Sequence, residues 1–449
     1  MKTPIFDFVK KYAESDAVRM HMPGHKGKPY LGCESLDITD IDGADCLYSS
    51  PGIIDESQKN ASELFGTAAT FYSVEGSTLA IKAMLFLATR SHRTRRGVIL
   101  ATRNSHKSFI HAAALLDLDV RWMYPSEFQH ISKAHITKDD VEAALAKSQD
   151  IDAVYITTPD YLGNIADVEG ISEVCKKHNV LLLVDNAHGA YLKFLSPSRH
   201  PIDLGADMCA DSAHKTLPVL TGGAYLHISK AAERFVGEAK WALSLFASTS
   251  PSYLILSSLD LCNAYLLDSF ERKLSDALLR VSSLKAKISD HGIRVLDSEP
   301  MKIALAPLDF GYTGLYLADF LRSNSVECEF ADEDFCVLMP SPENPSSDYD
   351  RIAEVILSLP RKSSINKHKQ MFTFSKPEQA VSIREAIFSE NETVSVCASL
   401  GRIAAVPAVS CPPAVPIVVS GEYITEEAIS LFKRYGIEKI NVVKNKGVG

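Results

Sequence analysis

Between residues 97 and 228 the chain alternates short, apolar, β-branched runs with longer segments of helical period, and this rhythm limits the possible folds more than any other feature. GVILAT (97–102), DAVYITT (152–158), VLLLVD (180–185), ADMCADS (206–212) and GAYLHI (223–228) read as buried strands, apolar on both faces. Helical segments separate them. SFIHAAALL follows residues 103–107, and in VEGISEVCKKHN (168–179) Ile171, Val174 and Cys175 face one way. Strand, helix and strand in repetition predict a mostly parallel α/β sheet. Ligands of such sheets bind beyond the carboxyl ends of the strands, so the polar residues at 104–107, 160–164, 185–188 and 212–215 are the first to weigh.

The chain has 449 residues, enough for two or three domains with a large core. Its 46% hydrophobic and 23% charged residues are ordinary for a globular protein and exclude wholesale disorder. A formal charge of -9 argues against nonspecific binding to nucleic acid or an anionic membrane. Cys33, Cys46, Cys175, Cys209, Cys262, Cys328, Cys336, Cys397 and Cys411 never form C-x-x-C, so reduced, mostly buried thiols are expected rather than disulfides or a metal site. The start lacks the apolar run of a signal peptide, and no segment reaches the ~20 apolar residues of a membrane span, which makes a cytoplasmic location the expectation.

Residues 253–290 read as a long helical stretch, and 291–360 as a compact sheet with helices on one side. Residues 361–369, basic and without apolar period, read as an exposed linker. Beyond it come VSVCASLGRIAAV, a Pro-rich turn at 412–416 and a final strand-helix-strand unit ending at Val443. The expected division is an N-terminal segment 1–50, a large domain 51–290, a small domain 291–360 and a C-terminal domain 361–449.

The most informative strand end is DSAHKTLPVLTGG (211–223), where a buried run leads into Ser212, His214 and Lys215. A charged lysine is costly in an interior, whereas a partly desolvated one serves Schiff-base chemistry; alone, Lys215 reads equally well as a side chain snorkelling at a sheet edge. Asp185 changes that balance. It ends an apolar strand thirty residues earlier, with His188 close behind. A pyridoxal phosphate (PLP) enzyme needs a carboxylate to keep the pyridine nitrogen protonated and a lysine to hold the cofactor, and Asp185 and Lys215 fit those two roles. VEGSTLAIKAMLFLA adds a phosphate cradle, with Gly76 allowing close approach and Ser77 and Thr78 offering hydroxyls at a helix start. RNSHKSF puts His106 at the carboxyl edge of the sheet, where an imidazole can stack on the ring.

These elements occur together and in order, and the chain resembles the fold-type I, PLP-dependent ornithine/lysine/arginine decarboxylases of bacteria. The resemblance rests on RMHMPGHKG (19–27), DITDIDGADCLYSSPGII, EGST (75–78), RNSHKS (103–108), DNAHGAY (185–191), DSAHKTLPVLT (211–221), STSPSY (248–253), GRIAA and CPPAVP. It runs through the whole chain and implies a short form lacking the response-regulator-like domain of longer members. The implied fold is α/β, with a mostly parallel-sheet large domain and a smaller α+β C-terminal domain. The implied activity is decarboxylation of arginine, lysine or ornithine to a polyamine-type amine in polyamine biosynthesis. Lys215 would form the internal aldimine, Asp185 would pair with the pyridine nitrogen, His106 would stack on the ring and His188 would lie against it. Ser77, Thr78, Ser212 and His214 would surround the phosphate. Ser248 and Thr249 would come from a partner subunit, which implies a homodimer or higher homo-oligomer with shared sites. Glu329 in VECEFAD matches the acid associated with the basic substrate, with Glu327 and Asp332 as neighbours that are easily confused with it.

Some positions depart from that pattern. Glu75 stands in place of Asn, Asp160 interrupts T-x-P-T-Y, Asn186 replaces an acid, Tyr191 a His and Gly222 a Gln. Glu75 and Asp160 are expected to add negative charge near the site. The competing readings are another fold-type I reaction, with Arg402 as an aminotransferase's carboxylate anchor or else a structural ion pair, and a noncatalytic regulator.

Overall fold

The computed structural model describes residues 1–49, 51–90, 95–124, 136–365, 376–409 and 415–444. The chain divides into two compact units: Met1–Arg95, Asp150–Thr158 and Asp167–Arg272 form the first, and Arg96–Gln149, Pro159–Ala166 and Lys273–Gly449 the second. Seven strands lie in the α/β region: β1 Ala69–Ser73, β2 Val98–Thr102, β3 Asp119–Met123, β4 Ala153–Thr157, β5 Leu181–Asp185, β6 Met208–Asp211 and β7 Ala224–Ile228. Five of them match the expected apolar runs to within two residues at either end. β1 and β3 were not expected, because ATFYS and DVRWM alternate too weakly to stand out from their neighbours.

In the first unit the strands run β1-β7-β6-β5-β4. β4, β5 and β6 are parallel, while β7 runs antiparallel to both β6 and β1. The helix Gly76–Thr89 packs on β1, β5, β6 and β7. It is apolar almost all round, with Leu79, Ile81, Met84, Leu85 and Leu87 buried. Each such side chain contributes about 1.5–3 kcal/mol on burial, which fixes the helix and therefore its N-terminus. The helix Ile53–Phe65 stops at Gly66, whose φ of 67° gives a left-handed C-cap. The N-terminal helix Pro4–Ala13 is docked by Asp260, whose Oδ2 accepts from the amides of Ile5 and Phe6 at 2.9 and 3.0 Å.

The expected long helical stretch is Tyr253–Tyr265 followed by a π-helical turn at Leu266–Phe270 and then Glu271–Asp290. In the second unit, β2 and β3 form a parallel pair. The region after 290 folds as four antiparallel strands, β8 Arg294–Val295, β9 Ile303–Ala306, β10 Phe330–Ala331 and β11 Cys336–Leu338, in the order β10-β11-β9-β8, with helices Gly314–Ser323 and Ser346–Leu357.

Residues 361–365 of the expected linker carry no regular structure; the remainder, 366–369, lies outside the described residues. The tail holds β12 Asn391–Ser395, β13 Ala408–Val409, β14 Pro416–Val418 and β15 Lys439–Val443, with the helix Glu426–Arg434 between β14 and β15 in the chain. The expected final strand-helix-strand unit is present, but its strands pair elsewhere, β14 with β13 and β15 with β12. Most of the Pro-rich turn, with Cys411, lies outside the described residues. Among the described cysteines all eight are free thiols, of which four are buried. No helix among the described residues is long and apolar enough to cross a membrane.

Candidate active site

In the first unit, β5 and β6 end side by side. Asp185 pairs in register with Ala210, and each strand ends on a buried carboxylate. Among the described residues Asp185 accepts only long hydrogen bonds, from the Tyr155 hydroxyl at 3.2 Å and the Ala187 amide at 3.3 Å. Burial pushes its carboxyl up to about 6, against the lowering pull of the Lys215 charge, Tyr155 and Ala187. Lys215 lies in the short turn Ala213–Thr216, with Nζ 3.2 Å from His188 Nε2. It is exposed, so the expectation of a partly desolvated lysine is corrected. What distinguishes Lys215 is a bond to the buried imidazole of His188 and a charge felt at Asp185.

The cradle is also in this unit. Ser212 Oγ donates to Ser77 Oγ at 2.9 Å, at the start of the helix Gly76–Thr89, and Thr78 follows, half-buried. Gly76 has a φ of 70° and nothing within 4 Å of where a Cβ would stand, so there is open space against its backbone. Its amide is bonded to the Gly222 carbonyl at 2.7 Å. Gly222 has a φ of 102°, and a Cβ there would meet the Val74 carbonyl oxygen at 2.9 Å, so the departure from Gln suits this backbone. His214 Nδ1 donates to the Gly223 carbonyl at 2.9 Å, and burial lowers its pKa. Glu75 is exposed, and its carboxylate accepts the Ser248 amide at 2.6 Å. Ser248 and Thr249 are both exposed.

The fit to PLP is favourable. Asp185 is a buried carboxylate short of close donors, as a pyridinium N–H requires, and hydroxyls with open backbone lie at a buried helix's N-terminus, as a phosphate requires.

A buried network next to this site was not legible in the sequence. Asp211 accepts from His200 Nε2 at 3.0 Å, His227 Nε2 at 3.3 Å, Asn186 Nδ2 at 2.8 Å and Cys209 Sγ at 3.3 Å. His200 Nδ1 accepts the Ile202 amide at 3.3 Å, so Nε2 carries the proton towards Asp211. Burial alone would raise Asp211; the two imidazoles overcome it and hold the carboxyl far below its usual range. His200, Cys209 and Asp211 offer atoms within 4.8 Å of one another, and these atoms are bonded to each other as a hydrogen-bond network. The Asn at 186 is one of its donors.

In the second unit, His106 caps the helix Lys107–Leu115, its Nδ1 accepting the Ser108 amide at 3.2 Å with Ser108 Oγ at 2.7 Å. Arg103 of the same motif is buried and bonds to Glu422 at 3.1 Å and to the carbonyls of Pro416 and Ile417. Asp160 is buried, and its carboxylate closes a turn by accepting from the amides of Leu162 and Asn164. Glu329 is exposed and accepts the Tyr161 hydroxyl at 2.7 Å, whereas Glu327 pairs with Arg322 and Asp332 accepts the amides of Asp334 and Phe335. Arg402 is taken up by Glu392 at 2.7 Å and the Val443 carbonyl at 2.9 Å, a structural ion pair. The bonds of Tyr155 to Asp185 and of Tyr161 to Glu329 were not legible in the sequence, because nothing in a strand or turn tyrosine shows where its hydroxyl will end.

This α/β fold is that of the fold-type I PLP-dependent enzymes. Among solved structures, the Francisella novicida lysine decarboxylase LdcF superposes with a TM-score of 0.81 at 17% identity, over 98% of this chain and 81% of that one. Family models described as Orn/Lys/Arg decarboxylase, major domain, and Orn/Lys/Arg decarboxylase, C-terminal domain, match residues 3–308 and 365–436. The chain belongs to this family of decarboxylases and is an enzyme of the lyase class. The uncharacterized protein YaaO of Bacillus subtilis (strain 168) is 30% identical, over 99% of this chain and 96% of that protein. An arginine decarboxylase of the same organism is 28% identical over 96% of this chain and 93% of its own length.

Proposed function

We propose that this enzyme decarboxylates a basic amino acid, arginine, lysine or ornithine, to the corresponding amine, as a cytoplasmic step of polyamine biosynthesis. The observation that carries this reading is the buried, poorly bonded Asp185 beside the Lys215 charge. When bound, PLP supplies the electron sink that takes up the bond pair left as carbon dioxide departs. Lys215 would hold the cofactor through its amine, and His188 Nε2, 3.2 Å from Nζ, would be the acceptor for the Lys215 proton. Asp185 would be held ionised by a protonated pyridine nitrogen, since a cation there would offset the cost of its burial. Gly76 would leave room for the phosphate, Ser77, Thr78 and Ser212 would donate to it, and His214 would join them by taking a second proton on Nε2. By the family resemblance His106, with Nδ1 held by Ser108, would be the residue to flank the cofactor ring, and Glu329 would be the acid for the cationic end of the substrate.

Ser248 and Thr249 serve the site of a partner subunit in a homodimer. The exposed apolar side chains of the N-terminal segment, Val18, Met20 and Leu31 at 82%, 87% and 90%, support a second copy as their cover. The ion pair of Arg402 with Glu392 counts against its use as an aminotransferase's carboxylate anchor.

Mass spectrometry of products after separate incubation of the PLP-loaded protein with arginine, lysine and ornithine tests this reading. Agmatine, cadaverine or putrescine is expected from the wild type and not from Lys215→Ala. Borohydride reduction is expected to fix the cofactor's mass on the peptide containing Lys215. A labelled Lys215 without any amine product overturns the reaction in favour of another fold-type I chemistry. An unlabelled Lys215 overturns the site.

A further inference from the structure

We infer that Tyr161 is a positioning residue that aims the Glu329 carboxylate at the cationic end of the substrate. The inference rests on the reading of Glu329 as the substrate's acid. An exposed glutamate is ordinarily solvated and free to rotate, yet Glu329 is held at both ends. Its amide donates to the Val337 carbonyl at 2.9 Å and its Oε1 accepts the Tyr161 hydroxyl at 2.7 Å, from 168 residues away. The phenol has little freedom of its own. Its ring meets Phe330 edge-on at 5.4 Å and packs on the cluster of Leu162, Ala304, Phe330 and Val337.

The turn that carries Tyr161 is fixed from several sides. Asp160 Oδ1 accepts from Leu162 and Asn164 at 3.0 and 2.9 Å, its Oδ2 accepts the Asn164 side chain at 2.7 Å, and buried Lys302 donates to the Asp160 carbonyl at 3.2 Å. The Asp160 charge is thereby spent on the turn.

The choice of donor matters. Arg322 pairs with Glu327 and cancels its charge, and Asp332 spends Oδ1 on two amides. Tyr161 is a neutral donor to one oxygen and brings no counter-charge to Glu329, whose Oε2 accepts no hydrogen bond among the described residues. A carboxylate fixed in direction but not neutralised is what recognition of an alkylammonium or guanidinium needs. The hydroxyl should therefore act on binding of the cationic side chain and leave the chemical step alone.

The test is steady-state kinetics of the PLP-loaded enzyme with arginine, lysine and ornithine, for wild type, Tyr161→Phe, Glu329→Gln and the double variant. Phe keeps the ring contact with Phe330, and thermal unfolding verifies the fold. Tyr161→Phe is expected to raise KM for the preferred substrate about tenfold with kcat within about twofold, the pattern of lost uniform binding. The double variant is expected to match Glu329→Gln alone, since the hydroxyl acts only through that carboxylate. If Glu329→Gln raises KM and Tyr161→Phe does not, or if the two effects simply add, the Tyr161 role is overturned while Glu329 stands. If Glu329→Gln leaves KM unchanged, the reading of Glu329 falls and the inference with it. A loss in kcat equal to that in kcat/KM for Tyr161→Phe also overturns it.

Discussion

Asp185 and Asp211 end neighbouring parallel strands of the same sheet, and both are buried, yet their acidities move in opposite directions. Asp211 has four donors, two of them imidazoles, and is held ionised. Asp185 has two long hydrogen bonds and a nearby lysine charge, and burial pushes its carboxyl up to about 6. Equal burial thus has opposite consequences, depending on how many donors the fold supplies. Asp211 is complete as it stands and anchors the strand from which Ser212, His214 and Lys215 emerge. Asp185 is buried with only two long hydrogen bonds among the described residues.

The sharpest way to break this contrast is to replace each carboxylate by its amide. Asp211→Asn leaves two imidazoles and Asn186 facing a neutral group in the interior, and about 3–5 kcal/mol of stability should be lost in urea unfolding of the apoprotein. A loss below about 1 kcal/mol would mean the network does not hold the strand end. Asp185→Asn should lower turnover about 10²–10³-fold, with thermal stability unchanged or slightly raised because a buried charge has gone. A variant that unfolds more readily without losing turnover would reverse the two roles.

A pH series sharpens the same contrast. Asp185 has a folded pKa above its unfolded one, so between the ordinary carboxylate range and about 6 the folded chain binds the extra proton, and apoprotein stability falls as pH rises through that window. Asp211 has a lowered folded pKa, so its contribution is present above the unfolded value and is lost as pH falls further into acid. Subtracting the stability curve of Asp185→Asn from that of the wild type should isolate the first slope, and a flat difference would contradict it. PLP affinity, read by equilibrium titration, should rise as pH increases through about 6, when Asp185 ionises. The smallest effect is expected from Asn186→Ala. It removes one of Asp211's four donors and should cost about 1 kcal/mol in the same unfolding assay, a third or less of the Asp211→Asn loss.

Much of the candidate site can be picked out from the sequence because its residues sit where strands stop. VLLLVD followed by NAH, and ADMCAD followed by SAHK, place Asp185, His188, Ser212, His214 and Lys215 at carboxyl ends once the runs are read as strands. The difference between the two aspartates was not legible. His200 comes from a loop before β6 and His227 from the antiparallel β7, so the donors of Asp211 are gathered by folding and leave no spacing in the sequence. Desolvation of Lys215 was inferred from its strand end, but the strand stops at Asp211 and the turn Ala213–Thr216 lifts the lysine to the surface. Asp160 read as added charge near the site and is consumed by its own turn, because a carboxylate with amides two and four residues ahead bonds them first.

By itself the sequence determined the alternation of strand and helix, the family and the residue types able to hold a cofactor. Apolar period and local motifs are properties of short segments, which a linear string records. The tertiary structure decided which buried carboxylate is saturated, which lysine is exposed, and which of three acids near 329 keeps an oriented, uncancelled charge. Those outcomes depend on donors far apart in the chain, and a carboxylate's acidity and direction follow from the donors that reach it.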